Sequence, residues 1–134
     1  MCLTLAEANS VIRRATAKAE EIGISVCVAV CDEGGRLIAF ARMDGAKWAS
    51  AYGAQGKAIA SSAFQRASGE LQQQADSVIF RGIVTAEGGN MILSQGAVPI
   101  VRDGMVIGAC GVGGARKGEQ DEECARAGVS ALGS

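Results

Sequence analysis

A chain of 134 residues has the size of one folded domain with a single buried core and is too short for two. Thirteen Lys and Arg against 14 Asp and Glu leave a net charge of −1, which removes any electrostatic case for nucleic acid or an anionic membrane as partner. Apolar residues make up an ordinary 49%, but aromatics are only 4% and glycine fills 19 positions, so the packing units are small and elements can approach closely.

Thr4-x-x-Glu7 forms a capping box. Leu5, Ala8, Ile12, Ala15, Ala19 and Ile22 follow at three- and four-residue steps, which predicts a helix that Gly23 stops. Ser25 to Cys31 is β-branched and apolar on both faces, the pattern of a central strand covered on two sides. Asp32-Glu33-Gly34-Gly35 turns the chain, and Arg36 to Arg42 supplies an antiparallel partner. Asp44-Gly45 then opens a helix over about 46–66, shallow along Ala49, Gly53, Gly56, Ala60 and Ala63 and bulky at Trp48, Tyr52 and Ile59.

Ser68 caps a shorter helix to about Ser77, and Val78 to Val84 reads as extended ahead of a loop at 85–89. Val98–Val101 and Met105–Val112 form a hairpin, because the Asp103-Gly104 turn tolerates positive φ. A last helix opens near Asp121, where Glu119, Asp121, Glu122 and Glu123 complement the positive end of its dipole. This order favours an antiparallel sheet with helices packed on it over a doubly wound parallel one.

No run approaches the roughly 20 apolar residues of a membrane span, and Met1-Cys2-Leu3-Thr4 has no signal-peptide character, so a cytoplasmic location is expected. Cys2, Cys27, Cys31, Cys110 and Cys124 then act as small reduced hydrophobes. On one strand Cys27 and Cys31 are separated by about 13 Å, too far to share a metal or a disulfide.

The chain has no histidine, which excludes Ser-His-Asp and Cys-His catalysis and imidazole metal sites. Gly111-Val112-Gly113-Gly114-Ala115-Arg116 invites a dinucleotide reading, but Arg116 stands at the third glycine position and acids begin the helix beyond. The glycines read instead as a strand-to-helix connection whose amides can approach a ligand or a second subunit. Arg42, at a strand end beside free helical amides near Asp44, is a seat for a carboxylate or phosphate; the alternative is an Arg42–Asp44 pair that merely fixes the turn. Lys57 points either to that seat or to solvent. Asp121 is either an N-cap or a ligand contact.

Taken together, Val28 to Gly35, Arg42 to Ala46, Lys57-Ala58, and Pro99 through Gly104, Gly108 and Gly111 to Asp121-Glu122-Glu123 resemble the GlcG/HbpS-like family over nearly the whole chain. That family also occurs fused to some corrinoid adenosyltransferases. The resemblance implies a three-layer α/β/α sandwich, of α+β type with a mainly antiparallel sheet, spanning 1–134 as one domain and assembling into homo-oligomers. It implies haem or a related tetrapyrrole as ligand, although no histidine is present to serve as the usual proximal ligand. Carried over by position, Arg42, Asp44, Lys57, Gly111, Gly113 and Asp121 lie in or near the binding cleft, Gly113 at a position where the family often has serine.

Three functions follow. The first is a non-catalytic binding or accessory protein that holds a tetrapyrrole or small anionic ligand between subunits. The second is an enzyme acting on a small carboxylated metabolite or degrading haem, with Asp44 or Asp121 as acid or base. The third is an assembly module of a larger enzyme system.

Overall fold

The computed structural model describes residues 2–133. Helix α1 (Leu5–Glu21) begins at the expected capping box: the Glu7 amide donates to the Thr4 hydroxyl and the Thr4 amide to the Glu7 carboxylate. Strands β1 (Cys27–Asp32), β2 (Leu37–Arg42), β3 (Ala97–Arg102) and β4 (Met105–Gly113) form one sheet in the order β2-β1-β4-β3, with every pairing antiparallel. Helices α1 and α4 (Gly118–Val129) pack together on one face, and α2 (Ser50–Phe64) covers the other. The expected layering of helices on an antiparallel sheet is therefore present.

Alternation along β1 and β4 divides the core between these faces. Val26, Val28, Val30, Cys110 and Val112 join Val11, Ala15 and Cys124 under α1 and α4. On the opposite face Cys27 and Ala29 meet Ala54, and Cys31 and Ala109 meet Ala58, so α2 lies almost directly on the strands. At Asp103 and Gly104 φ is 51° and 77°, the turn geometry expected of the β3–β4 hairpin.

Several boundaries differ from expectation. Ser68 does not cap a helix: it opens a 3-10 helix, Ser68–Gln74, and its hydroxyl accepts from the Ala97 amide instead. The helix placed at Ala46 starts at Ser50: Gly45, with φ 86°, closes a turn in which the Ala46 amide donates to the Met43 carbonyl. Trp48 consequently sits ahead of α2 and, edge-on to Tyr52, faces outward. Val78 to Val84, read as extended, belongs to helix α3 (Val78–Ala86). The Ser77 hydroxyl caps it through the Phe80 amide, and Phe80, Ile83 and Val84 pack at helical spacing against Leu71 and Met91. Local capping and a single apolar face outweigh the β-branched composition there. Last, α4 begins at Gly118 with Lys117 as N-cap, so Asp121 lies inside the helix instead of capping it.

Candidate functional site

A broad groove lies where α1 ends, β1 begins and β2 leaves the sheet. It encloses about 680 Å³ and is lined by Thr16, Glu20, Ile24, Ser25, Arg42, Met43 and Asp44, among others. That volume suits a small organic ligand. The lower lip is built by pairing: the Met43 amide donates to the Val26 carbonyl, and the Val26 amide donates back to Met43 Sδ at 3.4 Å. Gly45 rests close to the Ser25 hydroxyl.

Arg42 ends β2 opposite Cys27, which in turn faces Gly113 on β4. Among the described residues its guanidinium forms no ion pair and no hydrogen bond, so it does not lock the turn through Asp44. The free helical amides expected beside it are absent, because the Ser50, Ala51 and Tyr52 amides already donate to the Lys47, Trp48 and Ala49 carbonyls. The first-turn amides of α2 therefore add nothing to the hold that the Arg42 side chain has on an anion.

Lys57 and Asp121 form a second cluster, distinct from the groove lining. Lys57 Nζ lies 3.1 Å from Asp121 Oδ2 and donates to the Gln95 carbonyl at 3.2 Å. Asp121 Oδ1 accepts from the Ala115 amide at 3.0 Å. Both side chains are buried, Lys57 at 7% exposure and Asp121 at 4%. Burial pushes the Asp121 carboxyl above its ordinary value, while the Lys57 ammonium and the Ala115 amide act against that rise. The structure removes both possibilities open for Lys57: it is neither solvated nor part of the Arg42 seat, but buried against Asp121.

Gly111 and Gly113 belong to β4 itself, and the connection begins only at Gly114. A Cβ on Gly111 would run into the Ala54 carbonyl and sit 2.8 Å from the Ala58 nitrogen; one on Gly113 would sit 2.8 Å from the Ser50 carbonyl. These two glycines let the α2 backbone rest on the sheet. Four of the five thiols, Cys27, Cys31, Cys110 and Cys124, are buried as expected of small hydrophobes, but Cys2 is exposed and does not pack as one; burial raises Cys31 and Cys124 to about 11.

Residues 3–130 match the family model described as "Haem degrading protein HbpS-like". The chain belongs to the HbpS-like family. Protein GlcG of Escherichia coli K12 is 34% identical over 106 residues, covering 78% of this chain and 76% of its own. A double mutant of HbpS from Streptomyces reticuli superposes with a TM-score of 0.88 at 30% identity, covering 100% of this chain and 89% of that one. PduOC, solved as a haem complex, gives 0.88 at 25% identity, with 99% and 96% covered.

The groove does not fit a haem held through its iron. Its lining contains no imidazole, and its one sulfur, Met43 Sδ, is occupied by the Val26 amide. No group of three or more His, Cys, Asp or Glu side chains among the described residues is arranged to hold a metal ion. What the lining offers a tetrapyrrole is a guanidinium for its carboxylates and the apolar Ile24 and Met43 for its ring.

Proposed function

We propose that this HbpS-like protein is an oligomeric binding protein for a carboxylate-bearing ligand, a tetrapyrrole or a small organic acid, seated at Arg42 and Asp44 in a groove that a second copy closes. The Arg42 guanidinium, unpaired among the described residues and lining this groove, is the observation that carries this reading. Seven large apolar side chains among the described residues, Leu5, Leu37, Trp48, Tyr52, Val78, Ile79 and Met105, are more than half exposed, which supports self-association. The whole chain, 1–134, acts as the binding domain. No helix of the described residues is long and apolar enough to cross a membrane, and we place the protein in the cytoplasm. Lys57, Gly111, Gly113 and Asp121 support the site from behind. The enzymatic alternative gains nothing specific, since the Asp121 carboxylate is committed to Lys57 and Ala115.

The test is a titration of wild type and Arg42→Ala with haem, metal-free protoporphyrin and small dicarboxylic acids. A charge-assisted contact contributes about 1.5–3 kcal/mol, so the variant binds roughly 10- to 150-fold more weakly. Haem and the metal-free porphyrin bind wild type alike, because the iron meets no ligand. Equal affinity of both proteins for every compound would leave the assembly-module reading in front.

A further inference from the structure

A buried ion pair is weak evidence for stability, since desolvating two charges offsets most of their attraction. The position of Lys57–Asp121 suggests a different use. One carboxylate joins three separate stretches of chain: α2 through Lys57, the approach to β3 through Lys57 and the Gln95 carbonyl, and the connection after β4 through the Ala115 amide. Gly114, next to Ala115, has φ 123° and lies so close to the segment before β1 and to the start of α2 that a Cβ there would be 3.1 Å from the Ser25 carbonyl and 3.2 Å from the Ser50 hydroxyl. Ser25 is part of the groove wall, and the neighbouring Val26 is clasped from the opposite side by Met43.

We propose that Asp121 is a positioning residue for the Arg42 groove, with Lys57 compensating its buried charge: Asp121 holds Ala115, Ala115 sets Gly114, and Gly114 presses Ser25 and Val26 toward Met43 and Asp44. This rests on the groove being the binding site. Asp121 Oδ1 holds the loop through the Ala115 amide, and Lys57 offsets the charge of the buried carboxylate, a task that disappears when residue 121 is neutral. No ligand reaches the pair itself; Asp121 determines the width of the groove from behind.

Two matched double variants test the inference. Lys57→Met with Asp121→Asn removes both charges but keeps an acceptor for the Ala115 amide. Lys57→Met with Asp121→Leu removes the charges and the acceptor. Replacing a buried pair by neutral groups of similar volume is tolerated, so both fold, and thermal melts check that their stabilities agree. In the ligand-free proteins, the Leu variant shows Ala115 amide exchange about tenfold or more faster and a shifted Ser25 amide resonance, while the Asn variant matches wild type. Metal-free protoporphyrin then binds the Leu variant about tenfold more weakly and the Asn variant within about twofold of wild type. Leu and Asn variants with the same Ser25 resonance, or the same porphyrin affinity when Arg42→Ala has lost it, would overturn the positioning role. If Arg42→Ala binds porphyrin as wild type does, the groove reading fails instead, and the Ser25 resonance alone decides whether Asp121 sets the wall.

Discussion

Along its two central strands the sheet is buried on its two faces by opposite means. Toward α1 and α4 the strands present Val26, Val28, Val30, Ile100 and Val112, and the helices stand off far enough to accept branched side chains. Toward α2 they present Cys27, Ala29, Cys31, Ala109, Gly111 and Gly113, and the helix backbone comes down onto the strands. The first face is held by volume that can be removed at a graded cost. The second is held by the absence of volume, so any added atom meets backbone that cannot rotate away.

The largest effect therefore comes from the smallest addition. Gly111→Ala places a methyl against the Ala54 carbonyl and the Ala58 nitrogen, with no flexible side chain to yield. Overpacking of this kind exceeds the usual range of roughly 1–3 kcal/mol, so the variant is expected to unfold in urea well below wild type or to accumulate insoluble. A variant as stable as wild type would show that α2 lifts from the sheet freely, and the contrast between the faces would disappear.

Removal on the opposite face is the converse experiment. Ile100, at 1% exposure, contributes its side chain to the α1/α4 core. Ile100→Ala should cost about 2–5 kcal/mol through lost transfer energy and a residual cavity, with the protein still folded and cooperative. Urea melts give the value directly. A loss below about 1 kcal/mol would mean that this face collapses around the gap and is as adaptable as a liquid.

The same contrast explains which parts of the molecule were legible in the sequence. The α1/α4 side announces itself: the Thr4–Glu7 box and the Asp103-Gly104 turn land where expected, and Ala8, Ala15 and Ala19 of the α1 periodicity are buried, although Leu5 faces outward and Val11 enters the core in addition. The α2 side is written in glycine and alanine, whose meaning depends on what lies opposite. Gly111 and Gly113 look like a phosphate-style loop until α2 is seen against them. The segment Val78–Ala86 shows the same ambiguity in another form, since a short apolar run carries no decisive period and only the Ser77 cap tips it toward helix. Arg42 was found through its position at a strand end. That Lys57 meets Asp121 across 64 positions was not visible, because a long-range pairing has no spacing rule to betray it.

The thiols probe both faces at once, through pH. Cys31 lies on the α2 side and Cys124 on the α1/α4 side, and burial raises each from 9.0 to about 11. A raised value means the folded protein holds its proton more tightly than the unfolded chain. Stability from each thiol is therefore fully present below pH 9 and is lost as pH rises toward about 11, because the unfolded chain ionises first. At pH 10 the difference amounts to about 1.4 kcal/mol for each thiol, and Cys110, also raised by burial, adds to the loss. Urea midpoints measured at pH 8 and pH 10 should fall accordingly in wild type. They should fall by about 1.4 kcal/mol less in Cys31→Ala and in Cys124→Ala, whatever each substitution costs at pH 8 through packing. If only Cys124→Ala relieves the alkaline loss, the α2 side admits water to Cys31, and the tight seating of that helix would have to be redrawn.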